Sequence, residues 1–411
     1  MKPAITDTIG RAYGRKPGKP DLELTQVGPG TAGGELLRRY WHPIAMSYEA
    51  TEVPKQIRRL GEDLILFRSG QGEAGLLTSR CIHRGTTLYY GKVEEDGIRC
   101  CYHGWKFGCQ GQVLDQPCEP EGGARTRHKL RQPWYPVIEQ YGAIWAYMGP
   151  PDKQPLFPIY SAFENLAEDE EIAADYMNAG AELTGFPANY NWFQHFDNAM
   201  DHLHVQILHY SHTGTHFTDR RWDVWPEASW TYSKSGGSVL THTRRDLGNG
   251  QAWMRIEQAL MPNILVIPPF YGDGPSPHLW FFVPFDDTTY VQVQVIRQKK
   301  GFQWVSEEVA GYGPGKKLWR DMTPEEHRAF PSDHEAQEGQ GIVTLHSEEH
   351  LASSDEGVVK QRLLFKRSAK KVAEGNDPPG VAFTEADRRI IIEARSWMET
   401  IDQPATEDAD A

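Results

Sequence analysis

Cysteine is scarce in this chain: there are five among 411 residues, all between Cys81 and Cys118. A small secreted fold stapled by disulfides would spread its cysteines more widely, so that class is excluded. No apolar run approaches the roughly 20 residues of a membrane helix, so no membrane partner is expected. The start, MKPAITDTIGRAYGRKPGKP, has basic residues but no apolar stretch behind them. No signal peptide is expected from it, and the protein is expected in the cytoplasm. Positive charge is outweighed: 43 Lys and Arg stand against 56 Asp and Glu, a net charge of −13. Such a chain repels phosphate backbones, which argues against nucleic acid as a partner. No internal repeat is visible. No G-x-G-x-x-G follows a predicted strand, so no flavin or nicotinamide site is expected in the chain itself.

What remains is an ordinary globular composition. Apolar residues make up 39% and 13 residues are Trp, enough for a sizeable aromatic core. The length suggests two or three domains at about 100–200 residues each. Residues 1–25 read as a mobile basic tail, and TAGGELLRRYW at 31–41 as a short helix. From about 55 to 150 the text is β-like, with apolar runs cut by Gly, Ser and acidic turns. The Pro-rich PPDKQPLFP at 150–158 marks a boundary. Beyond it, Trp192, Phe196, Ala199, Leu203 and Ile207 recur at steps of three or four, which predicts a helix over 189–210. Val291, Val293 and Val295 alternate with Gln292 and Gln294, which predicts an antiparallel strand with one face covered. ADRRIIIEARSWMETI predicts a closing helix, with Thr384 and Asp387 spaced as its capping pair. The acidic end, 401–411, reads as a frayed tail.

Two segments are rich in metal-ligand residues. The first has the pattern C-x-H-x16-C-x2-H: Cys81 and His83, then Cys100 and His103. Zinc could use four such ligands in a closed site. A Rieske-type [2Fe–2S] cluster would put two Cys on one iron and two His on the other. The flanking Gly85 and Gly104 favour the cluster, because glycine lets backbone N–H groups approach the sulfurs. Cys100 rather than Cys101 gives the two-residue gap to His103. Cys109 and Cys118 have no histidine partner and read as packing residues.

The second segment is DNAMDHLHVQILH at 197–209. Asp201, His204 and His209 have the spacing D-x2-H-x4-H. Two His and one carboxylate on one side of an iron leave positions open for O2. Six histidines crowd this region; His195, His202, His212 and His216 read as supporting or surface groups.

Together, CIHRG, CYHGW and DNAMDHLHVQILH resemble the catalytic α subunits of Rieske non-haem iron aromatic-ring-hydroxylating oxygenases. LTQVGPGTAGGELLRRYWHP and DHEAQEGQG resemble the phthalate dioxygenase-like branch, which includes aryl O-demethylases. The resemblance implies an α+β chain: an N-terminal all-β Rieske [2Fe–2S] domain over 26–155, then a helix-grip catalytic domain with an antiparallel sheet over 156–400. It makes Cys81, His83, Cys100 and His103 the cluster ligands and His204 and His209 the mononuclear Fe(II) ligands. Asp201 matches an acid that bridges the two centres, and Asn198 an amide near the iron. Asp333 matches the carboxylate ligand, with Glu335 and Glu338 as competitors. It further implies an NADH-dependent flavin and iron–sulfur reductase as electron donor, an aromatic substrate, O2, and a homotrimer or stacked trimers. The sequence departs from the family at Ile82 and at His202, where proline is usual, and at Cys109. A cluster-bearing electron carrier is the competing reading; it would not need Asp201, His204 and His209. Arg244 and Arg245 are the cations that a carboxylated substrate could use, though on an exposed strand they would be solvated.

Overall fold

The computed structural model describes residues 14–176, 188–212, 219–248, 250–270, 272–302, 317 and 321–401. Most of the expected acidic tail and residues 1–13 of the basic tail lie outside them, as does His216. The described part of the basic tail is docked. Asp21 caps the short helix Leu22–Thr25, and the Lys19 N–H reaches Ser347 Oγ at 2.8 Å. Gly28, Gly30 and Gly33 carry the G-x-G-x-x-G spacing, but they follow the helix Leu22–Thr25 and run into the helix Ala32–Leu37 rather than following a strand.

Beyond these short helices, the first half is built of β-strands. Trp41–Met46, Ala143–Tyr147 and Val137–Gln140 form one sheet, and Lys55–Arg59, Glu62–Arg68 and Ala74–Thr78 a second. Four short strands, Lys92–Glu94, Gly97–Arg99, Lys106–Phe107 and Val113–Asp115, form the third. All these pairings are antiparallel.

The second half is built on a nine-stranded antiparallel sheet. Its order runs Glu170–Tyr176, Tyr290–Lys299, His278–Pro284, Ile264–Val266, Gln251–Leu260, Ser238–Asp246, Glu227–Tyr232, with Gly274–Pro275 and Arg395–Thr400 attached at the side. Both faces are buried, which corrects the expectation for 290–299. Val291, Val293 and Val295 join a core with Trp145 and Tyr160 of the preceding segment. Gln292 and Gln294 are also buried, on the opposite face, where the helix Trp192–Asn198 packs. The alternation therefore separates an apolar interdomain face from a buried polar face, not core from solvent.

The structure differs from the sequence expectation at two helices. The closing segment is not helical: Arg389–Ile390 pairs with Ile159–Tyr160, and Arg395–Thr400 pairs with Gln251–Ile256. The β-branched run at 390–392 favours extended backbone, and Thr384 spends its hydroxyl on the Asp387 side chain. Conversely, Glu356–Ala373 is an 18-residue helix that went unnoticed. Val358, Gln361, Leu364, Phe365, Ser368 and Ala369 line its buried side at helical spacing. It stops at Gly375, whose φ of +81° lets the Asn376 N–H reach back to Lys371 O. This helix clamps Trp192–Asn198 against the sheet: Gln361 Nε2 donates to Phe196 O at 2.8 Å.

Candidate metal centres

The two halves of the first motif fold as a matched pair. Gly85 N–H donates to Cys81 O at 2.8 Å and Cys81 N–H to Thr86 O at 2.9 Å. Gly104 N–H donates to Cys100 O at 3.1 Å and Cys100 N–H to Trp105 O at 2.8 Å. Each turn needs left-handed backbone, φ +75° at Gly85 and +73° at Gly104, which glycine adopts without penalty. The result brings the rings of His83 and His103 to 4.5 Å between centroids, with Trp105 stacked on His83 at 4.6 Å.

The donor set fits an iron–sulfur cluster. Cys81 and Cys100 are buried, whereas His83 is exposed and His103 half-buried. Sulfurs inside and imidazoles outside suit two irons at different depths better than one zinc. Burial pushes the Cys81 thiol up to about 11, with the Cys100 thiol adding to it; the N–H groups of His83 and Arg84 pull the other way. Those N–H groups suit a metal-bound thiolate. Cys101 is exposed. Cys109 is packed as expected, its thiol donating to Glu73 O at 3.5 Å. Cys118 is not: it is exposed beside His103 O, at 3.7 Å.

The second site needs a break in the expected 189–210 helix. An α-helix ends at Asn198, a link follows, and Val205–His212 is a π-helix. The reason lies in the spacing of five between His204 and His209. In an α-helix a separation of five turns side chains well apart, whereas the i→i+5 bonding of a π-turn aligns them. Their ring centroids are 5.3 Å apart.

Asp333 opens the helix Asp333–Glu338, whose first turn is fixed by a capping box between Ser332 and Glu335. This places its carboxylate between the imidazoles. Oδ1 lies 3.2 Å from His204 Nε2 and Oδ2 3.1 Å from His209 Nε2. One ligand atom from each of the three residues falls within 4.8 Å of the others. Glu335 is occupied by its own cap and by His327 Nδ1 at 2.6 Å, and Glu338 is exposed. Asn198 Nδ2 donates to Asp333 Oδ1 at 3.0 Å. His204 Nδ1 donates to Asp201 O, which turns Nε2 toward Asp333 as the nitrogen that would bind a metal once its proton is displaced. Burial opposes charge here, yet His209 and His204 hold the Asp333 carboxyl well below its usual range. Burial likewise lowers His204, but Asp333 and Asp201 raise it to about 9. A carboxylate facing two imidazole nitrogens is a donor set for a divalent cation.

Asp201 faces outward, with about a third of its side chain exposed. No hydrogen bond, ion pair or ring contact among the described residues joins Asp201, His204 or Asp333 to the Cys81–His103 loops. Beneath the site lie several buried polar groups that the sequence pattern does not reveal. His195 Nδ1 meets Tyr290 OH at 2.5 Å, and Tyr290 OH donates to Tyr190 OH at 3.0 Å. Arg362 pairs with Asp197 and Glu349. Arg245 is fully buried rather than solvated, and Arg244 pairs with Glu227 at 3.4 Å. Only the Gln and Val alternation at 291–295 carried any sign of this polar floor.

Comparisons with known proteins agree with this geometry. A family model described as "Rieske [2Fe-2S] domain" matches residues 40–139. Phenoxybenzoate dioxygenase subunit alpha of Ectopseudomonas oleovorans is 43% identical over 405 residues, covering 97% of this chain and 96% of that one. The oxygenase subunit of tert-butanol monooxygenase / tert-amyl alcohol desaturase of Aquincola tertiaricarbonis is 32% identical over 389 residues, 87% of this chain and 77% of that one. The crystal structure of dicamba monooxygenase bound to dicamba shares the fold, with a TM-score of 0.57 at 17% identity, over 82% of this chain and 99% of that one. The chain therefore belongs to the Rieske non-haem iron oxygenases, as a catalytic α subunit with a [2Fe–2S] cluster and a mononuclear iron.

Proposed function

We propose that this oxygenase subunit hydroxylates an aromatic acid or removes a methyl group from a methoxylated one. Cys81, His83, Cys100 and His103 hold the cluster, and His204, His209 and Asp333 hold the iron. The observation that carries this reading is the convergence of His204, His209 and Asp333, from two segments far apart in the chain, within 4.8 Å. An electron carrier would have no use for that convergence. When bound, the iron supplies a reduced centre for O2 activation and the cluster supplies an electron.

The chain's own residues do the rest. Asn198 holds Asp333 by an amide donor. Asp201 O fixes the tautomer of His204. Trp280 and Phe282, with Gln292 and Gln294, form the buried sheet face against which the helix Trp192–Asn198 packs, keeping water from beneath the site. The name of the phenoxybenzoate relative supports an aryl carboxylate.

In this reading electrons come from an NADH-dependent reductase with flavin and an iron–sulfur cluster, and the enzyme works in the cytoplasm. Its landing face lies near the cluster. Arg125, His128, Lys129 and Arg131 are exposed in a run that ends at Gln132, and Gln132 Oε1 accepts from the Ile82 N–H at 2.9 Å. In a chain of net charge −13 this basic strip would favour an acidic donor. The subunits form a trimer or stacked trimers, in which the outward Asp201 bridges His204 and His103 of a neighbour.

Iron analysis with an oxygen-uptake screen tests the reading. About three irons per chain, and uptake with phenoxybenzoates or methoxybenzoates, are expected. Two irons and no uptake would leave an electron carrier.

A further inference from the structure

Asp201 sits between two residues sealed against the catalytic sheet. On one side, Met200 is fully buried and its carbonyl accepts from Trp230 Nε1 at 3.1 Å. On the other, His202 is buried and bridges two strands. Arg245 Nη2 lies 3.1 Å from His202 Nε2. A guanidinium can only donate, so Nε2 is the acceptor and the ring proton is on Nδ1. That Nδ1–H donates to Glu257 Oε2 at 3.1 Å. Glu257 Oε1 in turn accepts from Arg255 Nη2 at 3.4 Å. The guanidiniums of Arg245 and Arg255 lie over Trp222 at 4.7 and 5.1 Å and over Trp253 at 5.5 and 4.8 Å.

The imidazole thus spends its single donor and single acceptor on two different strands, Ser238–Asp246 and Gln251–Leu260. A side chain there without a donor and an acceptor would leave Glu257 only Arg255, inside a pocket where a half-satisfied polar network is costly. Residues 200 and 202 point in and Asp201 points out, so whatever fixes His202 also fixes where Asp201 is presented. Two residues later, the same link delivers His204.

We propose that His202 is a positioning residue for the oxygenase reaction. Through Glu257 and Arg245 it ties the link between the two helices to the sheet, holding His204 in register with Asp333 and presenting Asp201 to a neighbouring subunit. The second half of this rests on the bridging role proposed for Asp201.

The test needs no substrate. The cluster is kept, the mononuclear site is loaded with Co(II), and two quantities are read. One is the affinity and visible spectrum of the Co(II), which report the His204 and Asp333 geometry. The other is the faster magnetic relaxation that Co(II) imposes on the reduced cluster, which reports whether the two centres abut. His202→Ala should keep the cluster colour, weaken Co(II) binding about tenfold with an altered spectrum, and reduce the relaxation effect. His202→Gln has one amide donor and one carbonyl acceptor and should recover part of both, which a purely space-filling role would not produce. Should the alanine chain fail to fold, His202→Asn takes its place; its shorter amide keeps Glu257 and loses Arg245. Wild-type Co(II) affinity, spectrum and relaxation in these variants would overturn the proposal. Asp201→Ala separates the two ideas. If it leaves the relaxation effect intact while His202→Ala disturbs Co(II) binding, the bridge falls and the anchoring of His204 stands.

Discussion

Asn198 and Asp333 lie 135 positions apart in sequence, yet the Asn198 amide donates to Asp333 Oδ1 at 3.0 Å. The last residue of one helix thereby fixes the first residue of another, at the point where the iron is to be held. Removing the amide frees the carboxylate to rotate away from His204. Asn198→Ala should lower iron affinity about 10- to 100-fold, the usual cost of losing a group that orients a metal ligand. The [2Fe–2S] absorption should be unchanged. Metal analysis after dialysis against a chelator reads the result, and full retention of three irons would remove Asn198 from the site.

The adjacent cysteines give a cleaner contrast. Cys100 is buried opposite Cys81, and Cys101 is exposed. Cys100→Ser should bleach the visible spectrum and abolish reduction by dithionite. Cys101→Ser should keep both. A reversed result would mean that the loop turns by one residue when the cluster is present.

Gly357, in the long helix, lies directly against the residue that leads into the iron link, Met200. A Cβ there would lie 2.5 Å from Met200 O and 2.3 Å from Trp230 Nε1, inside contact distance. Gly357→Ala must therefore push apart the Trp230–Met200 hydrogen bond. Overpacking of this kind costs about 1–3 kcal/mol. A lower melting temperature is expected, together with weakened mononuclear iron, because Met200 leads directly into Asp201. Calorimetry and iron content check both parts.

Much of this was legible in the sequence, for a chemical reason. Cysteine and histidine at fixed spacing are rare and have few uses, so the Cys and His that the structure brings together at the two candidate centres stand out without coordinates, whereas the distant Asp333 is suggested only by the family resemblance. The π-turn was hidden because apolar periodicity averages over a helix and does not register one inserted residue; the five-residue gap between His204 and His209 was its only trace. The strand at 395–400 was misread because charge and apolar spacing there fit a helix, and only its pairing with 251–256 decides otherwise. Arg245 was read as solvated because a strand's alternation does not say whether its polar side faces water. Here it faces Trp222, Trp253 and His202.

Away from the metals, His42 offers a test by pH. It is fully buried, with Nε2–H donating to Leu37 O at 2.7 Å and Asn263 Nδ2 3.4 Å from Nδ1. Burial lowers its pKa from 6.5 to about 4, the bond to Leu37 and the charge of Arg38 being smaller effects. The folded state therefore prefers the neutral ring. Its contribution is present above pH 6.5 and is lost as the pH falls towards 4, because the unfolded chain takes up the proton first. Each such proton steepens the fall by about 1.4 kcal/mol per pH unit. His42→Gln keeps an amide donor and acceptor but cannot titrate. Chemical denaturation between pH 7 and 4 should give it a shallower decline than the parent chain; parallel declines would show that His42 is charged when folded.

An electron leaving the cluster needs a path to an iron. Asp201 is partly exposed and already accepts from the His204 backbone N–H at 3.3 Å, so its carboxylate is free to meet a second imidazole from outside. If the bridge crosses a subunit boundary, each active unit needs the cluster of one chain and the iron of the next. A chain with Cys100→Ala has no cluster to give, and one with His204→Ala has no iron to receive. Neither alone should turn over. Co-expressed and purified as mixed trimers through two different tags, they should recover part of the wild-type rate, because some neighbours pair an intact cluster with an intact iron. Asp201→Ala placed on the chain that keeps its iron should abolish that recovery; on the chain that keeps its cluster it should have no effect. This asymmetry is the decisive readout, since transfer within one chain predicts no recovery in any mixture.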